Sequence, residues 1–400
     1  MRLGSTLTTR RAAAGTSLAL AALLTACGGS STSSTPSTGT SSGTAPSATG
    51  PSATGSSGST GPVQSSAPLH DPSTASRPGA KGKKIVVISG GQAAISSSVP
   101  SNSAIEAAKL LGWSTTLYDE QLNPASAPGL VRQAIAAGVD GIVLDATDCP
   151  TVKSSLEEAK AKGIKVVGIF SFDCNDPIFG GGGEPLFAGQ INYGSGAADI
   201  GKFTEQYGSD QAKAIVAATG GKAQVLFLND QEFTVLRYTG MGFLDEIAKC
   251  GGCKIVNKLD FTASQLGPNL QQKVTTALLQ HPEANAIKSP YTAATLLGIN
   301  AAVTQSGRAA KLYVMGGEGF EPELDLIRGN QGVNAVQITP SDWTAYAAVD
   351  TMNSLFTGKP IATSGLGWQL VDKANGLPAS GPYIPKVDFK ADYKKAWGIG

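Results

Sequence analysis

The sequence predicts an α/β protein made of two similar lobes, each an open, doubly wound parallel sheet. Three observations lead there. From Lys83 onward, short apolar runs alternate with segments of helical length. The alternation breaks at Gly180–Gly183 and then restarts. The strands it implies are too many for one small sheet with a single switch point, and roughly 320 residues suffice for two lobes.

The elements follow in order. Residues 84–89 read Lys-Ile-Val-Val-Ile-Ser and end in Gly90-Gly91, as a buried parallel strand should. A helix over 102–111 precedes a strand at 114–118. A helix over 127–137 precedes 141–145, and one over 151–162 precedes 164–170. Beyond the glycines, helix 195–207 leads to strand 223–228 and helix 235–249 to strand 254–257. Helix 264–280 leads to 284–288, and helix 292–306 to 312–315. A short helix near 321–329 precedes strand 334–338, and a last helix covers 343–357. Right-handed βαβ units place the strand ends and their loops along one crevice, where open α/β sheets bind ligands.

The folded part is expected from residue 83. Residues 83–190 with 340–366 would form the N-terminal lobe. Residues 191–339 with 367–400 would form the C-terminal lobe and tail. Residues 28–69 carry no charge and are nearly all Ser, Thr, Gly, Pro and Ala, with Pro-Ser-Ala-Thr-Gly repeated at 46–50 and 51–55. Such a segment cannot bury enough apolar surface to offset its ordering entropy. Residues 27–82 therefore read as a flexible tether with a reach of roughly 40 Å.

Ahead of it lie Arg2, Arg10 and Arg11, an apolar run over 12–24, and then Leu24-Thr25-Ala26-Cys27. This resembles a bacterial lipobox: 1–26 would be a signal peptide, and Cys27 would take lipid and anchor the chain outside the cytoplasm at the cell membrane. The plainer alternative is a secretory signal with an incidental cysteine. Arg10-Arg11 leaves general and twin-arginine export both open.

Four cysteines then remain, an even number that suits disulfides in an exported protein. Cys149 and Cys174 follow neighbouring strands, so a bridge between them is geometrically reasonable. Cys250 and Cys253 flank Gly251-Gly252 at a helix end and could clip that turn. A thioredoxin-like redox pair would sit at a helix N-terminus instead. The net charge of +1 offers no basis for binding nucleic acid. Two histidines and no zinc spacing give no support for a metal site. No cofactor is implied.

Several motifs carry a family likeness. Asp119-Glu120-Gln121-Leu122-Asn123-Pro124 is followed by Val139-Asp140-Gly141-Ile142-Val143-Leu144. Residues 159–167 match "A-x-x-x-G-I-P-V-V" with Lys165 for the proline. Residues 237–243 match "R-x-x-G-x-x-F", and Gly316-Gly317-Glu318-Gly319 matches "G-x-D-G" with Glu for Asp. In order and spacing, residues 85–371 resemble the type I periplasmic binding proteins of ABC importers, most closely the ribose-binding-protein-like group. The resemblance implies two Rossmann-like lobes joined by three hinge crossings, closing on a small solute. It also implies a monomer that serves an ABC permease. Regulators of the same fold carry a DNA-binding helix pair where this chain has its signal and tether.

Carried over residue by residue, the resemblance makes Arg237 and Glu318 ligand contacts: one a planar fork of donors, the other a carboxylate suited to vicinal hydroxyls. Gln337, Tyr291 and Trp343 are further candidates, the last two for an aromatic face. The first lobe departs from the sugar pattern. Its first loop, 91–98, has no aromatic, and Phe170-Ser171 stands where the family has Asp-Arg. Gln92, Ser96, Phe172 and Asp173 are the candidates left there. The expected function is capture of a small polar, sugar-like solute for a permease. A binding protein feeding a membrane sensor kinase is the alternative. An exported hydrolase has little support, because no G-x-S-x-G elbow or well-placed histidine is present.

Overall fold

The computed structural model describes residues 64–194 and 199–399. The signal segment, Cys27 and most of the expected tether lie outside the described residues. No helix among the described residues is long and apolar enough to cross a membrane.

The first lobe is a parallel sheet of β1 (Lys84–Ser89), β2 (Ser114–Asp119), β3 (Gly141–Asp145) and β4 (Lys165–Ile169), in the order β2-β1-β3-β4. Strands β1, β3 and β4 are buried on both faces, which is why their sequences are largely apolar runs. Helices α2 (Ala127–Ala136) and α3 (Cys149–Ala161) cover one face through Val131, Ala134, Val152 and Leu156. Helix α1 (Ile95–Leu110) covers the other through Ala104, Ala107 and Ala108.

The second lobe is a sheet of β5 (Gln224–Asp230), β6 (Lys254–Phe261), β7 (Ala286–Lys288), β8 (Tyr313–Met315), β9 (Ala335–Ile338) and β10 (Gln369–Asp372). Its order is β10-β9-β8-β7-β5-β6, and only β10 runs antiparallel to its neighbour. Helices α4 (Ile200–Ala218) and α5 (Thr234–Ala248) lie on one face. The other face carries α6 (Pro268–Gln280), α7 (Thr292–Ala294), α8 (Asn300–Gln305) and α9 (Glu321–Arg328).

Helix α10 (Ser341–Thr357) returns to the first lobe against α1 and β4, before the chain crosses back to β10. The chain thus passes between the sheets three times: after β4, after β9 and after α10. Both disulfides form, Cys149–Cys174 with Cα atoms 5.0 Å apart and Cys250–Cys253 with 5.3 Å.

Four expectations need correction. Helix α1 begins at Ile95 and runs through Pro100, although proline normally breaks a helix interior. The segment expected as helix 292–306 is interrupted at Leu297 and Gly298, which depart from helical dihedrals between α7 and α8. The tail does not belong to the C-terminal lobe. Helix α11 (Phe389–Trp397) packs on α10: Phe389 stacks on Trp343 at 4.9 Å, and Trp397 Nε1 donates to Asp350 at 2.7 Å. These rings supply the apolar area that a small-residue helix such as α1 lacks, roughly 2–3 kcal/mol for each large ring buried.

The fourth correction concerns residues 64–82, which the composition assigned to the tether. They lie against the body. Ser66 N donates to Asp210 of α4 at 2.7 Å, and Trp368 N donates to Ala67 O at 2.8 Å. Further on, Arg77 is buried and its Nε reaches both carboxylate oxygens of Asp350 in α10, at 2.7 and 2.8 Å. Its terminal nitrogens donate to Ala75 O and Ser73 O. This strap therefore bonds to both lobes across the hinge. Polar composition concealed it, because it is held by hydrogen bonds more than by apolar burial.

Candidate functional site: a cavity between the lobes

The strand ends of the two sheets face one another, and the lobes touch. Ser96 Oγ of α1 donates to Glu318 Oε2 across the gap at 3.2 Å. Asp148, just before α3, accepts from Phe172 N in its own lobe and from Thr234 N, at the start of α5 in the other, each at 2.9 Å. A carboxylate of one lobe thus meets the N-terminus of a helix in the other, where the helix dipole favours negative charge. Burial still pushes Asp148 up to about 6, against the opposing pull of those hydrogen bonds and of Arg237. Phe172 stacks on Tyr238 with ring centroids 5.2 Å apart, and the Tyr238 hydroxyl donates to Asp176.

Between these contacts lies a cavity of about 120 Å³, room for several waters or one small ring. The first lobe contributes Ala94, Ser96, Ser97, Leu122, Ala146 and Phe170. The second adds Phe203, Thr204 and Tyr207 from α4, with Phe233, Val235, Leu236 and Thr239 at α5. Ala263, Leu266, Pro290, Tyr291, Glu318 and Thr339 complete it.

Glu318 is placed by its loop. Gly317 passes so close to the next strand-end loop that a Cβ on it would lie 2.0 Å from Thr292 N. That approach lets Thr292 N donate to Glu318 while Thr292 Oγ1 accepts from Glu318 N at 2.9 Å. Buried Glu323, in the first turn of α9, accepts from Gly317 N and Gly319 N and from the Thr292 hydroxyl. Burial pushes the Glu318 carboxyl up, opposed by its bonds from Thr292 and Ser96.

Tyr291 faces the cavity with its hydroxyl donating to Asp230 at 2.9 Å. Burial pushes Asp230 up to about 6. Lys288, at the end of β7, is fully buried with its ammonium 5.6 Å from the Phe227 ring centroid. Burial pushes it down to about 7, and the charge of Glu318 opposes this.

Three of the predicted contacts, Glu318, Tyr291 and Ser96, therefore meet in the cavity wall. The others stand elsewhere. Arg237 is half-buried outside the wall, with its charge felt by Asp148. Gln337 is buried, its amide donating to Tyr207 O at 2.7 Å while its own carbonyl accepts from the Tyr207 hydroxyl. Trp343 is core, bonded through Nε1 to Ser364 O at 2.8 Å. Gln92 is engaged with Ser89, Asp119 and Asn102. Phe172 is packed beneath Tyr238. Asp173 is a structural acceptor, taking bonds from Cys174 N, Leu186 N and Phe187 N at 2.7, 2.9 and 3.1 Å.

The sequence reading missed Leu122, Phe170, Phe203, Tyr207, Phe233 and Thr339. Leu122 and Phe170 did have a signal, since both lie in loops singled out by motif. Their conformation was invisible: both, with Ala146, hold positive φ of 50–59°.

A family model described as periplasmic binding protein domain matches residues 86–360. The chain belongs to this family. Members of the family bind solutes and are not enzymes. No curated protein compared with the chain matches it. Solved structures share the fold at low identity. A glucose-galactose binding protein from Geobacillus stearothermophilus, GanP, aligns with a TM-score of 0.61 and 19% identity, over 74% of this chain and 99% of that one. A 5-methylthioribose transporter solute binding protein from Thermotoga lettingae, in complex with 5-methylthioribose, aligns with 0.62 and 18%, over 82% and 100%. The Caulobacter myo-inositol binding protein bound to myo-inositol aligns with 0.62 and 16%, over 74% and 96%.

Proposed function

We propose that this chain is the extracytoplasmic substrate-binding lipoprotein of an ABC importer. In this reading Cys27 carries the lipid, the uncharged segment holds the body off the membrane, and the monomeric two-lobed body captures a sugar or sugar-like solute for the permease. One observation carries most of the reading: the cavity lies between two lobes linked directly across it, Ser96 to Glu318 and Asp148 to Thr234. A ligand there contacts both lobes and favours the closed arrangement by its differential affinity. The named ligands of the similar structures, sugars and cyclitols among them, support the chemical class.

A thermal-shift screen of the full chain against sugars, polyols, amino acids and hydroxy acids tests the reading. A sugar-like hit that Glu318→Gln weakens supports it. Silence across the sugars and polyols refutes it. Membrane fractionation of wild type and Cys27→Ser tests the anchor, which predicts release of the variant.

A further inference from the structure

The cavity offers few polar atoms to a ligand. The hydroxyls of Tyr207 and Tyr291 donate to Gln337 O and Asp230, and those of Thr204 and Thr239 donate within their own helices. Thr339 Oγ1 is buried and has no partner among the described residues. Glu318 receives both of its side-chain bonds from Ser96 and Thr292 on the single oxygen Oε2. Ser97 adds a third polar group to the lining, and against these three stands an extensive apolar wall. Leu122 of the first lobe packs in one cluster with Leu236 and Leu266 of the second, and all three line the cavity. An unsubstituted sugar has a hydroxyl on nearly every carbon. Each one closed in without a partner weakens binding roughly tenfold.

We infer that the cargo is a sugar-like molecule with an apolar substituent, an alkyl or alkylthio group in place of a hydroxyl. Its hydroxyl edge meets Glu318 and Thr339, and its substituent lies against Leu122, Leu236 and Leu266. This deepens the proposed capture of a sugar-like solute and rests on it.

Calorimetry on the full chain with matched ligands tests the inference: D-ribose against 5-deoxy- and 5-methylthio-D-ribose, and D-galactose against its 6-deoxy form. The substituted member of at least one series should bind roughly tenfold more tightly, from about two methylene equivalents buried. Leu122→Asn should reduce that preference to less than threefold. Asparagine tolerates the left-handed backbone of position 122 (φ 59°), so the variant removes apolar surface while keeping the fold. A melting temperature within a few degrees of wild type checks this. Leu266→Ser gives a second variant on the other lobe. Equal or tighter binding of the unsubstituted sugars overturns the inference and leaves the capture reading standing. A preference that survives both variants overturns the assignment of the apolar wall. Binding of no sugar in either series overturns the inference, and the capture reading falls only with silence across the whole screen of sugars and polyols.

Discussion

Replacing Arg77 by Met removes one half of a buried ion pair. In the native chain Asp350 accepts two bonds from Arg77 Nε and one from Trp397 Nε1 at 2.7 Å. Both partners are almost wholly excluded from solvent, with side-chain exposures of 3% and 5%. In the variant, Asp350 is left buried with only the indole as donor. Breaking a buried pair by removing one partner costs about 3–5 kcal/mol, because the remaining charge is left uncompensated. At about 2 °C per kcal/mol for a body of this size, the melting temperature should fall by roughly 6–10 °C. Asp350→Leu on top of Arg77→Met removes the stranded charge and should recover at least half of the loss. Thermal melts of wild type, both single variants and the double variant, followed by circular dichroism, read the cycle. A single variant within about 1 °C of wild type would refute the claim that residues 64–82 are part of the body. A double variant no more stable than Arg77→Met alone would refute the electrostatic account.

Three further outcomes follow from the same structure. Gly317→Ala forces a Cβ against Thr292 N, which is backbone and cannot swing away, so it should destabilise by about 1–3 kcal/mol and weaken ligand binding. Exposed Gly129 in α2 has open space around its Cβ position, so Gly129→Ala should stabilise by about 0.4–1 kcal/mol, and parallel denaturant titrations separate the two. Burial pushes Glu120 up to about 7 from an ordinary 4.5, with the Thr147 hydroxyl opposing and Asp119 adding to the shift. The folded chain then holds a proton that the unfolded chain releases, so stability should fall as pH rises from about 4.5 to 7, by up to about 3 kcal/mol. Glu120→Gln should flatten part of that slope between pH 5 and 7.5; an unchanged slope would assign it to other buried acids, such as Asp145.

The two-lobed fold was legible because β1, β3 and β5 are buried on both faces and announce themselves as apolar runs. Strand β10 and helix α11 were not. Gln-Leu-Val-Asp is a short edge segment, and α11 shows its purpose only through the rings of α10 that it covers. At the site, Glu318 and Ser96 could be found because motif and loop position determine them. Trp343 and Phe172 misled because an aromatic beside a strand end reads alike whether it faces a ligand or the core. Arg237 sits one turn into α5, and its neighbour Asp148 comes from the other lobe, a pairing no local pattern encodes.

Among the described residues, five non-glycine positions hold a left-handed backbone: Gln121, Leu122, Ala146, Phe170 and Asn330. Three of them, Leu122, Ala146 and Phe170, line the cavity. Such backbone is unfavourable for ordinary side chains and persists only where the surrounding structure imposes it. The first lobe's half of the cavity is therefore shaped in part by an uncommon main-chain conformation at these three positions. The proposed capture makes 122 and 170 the positions at which side chains can be exchanged to alter the cargo, with asparagine and glycine the most easily accommodated on that backbone.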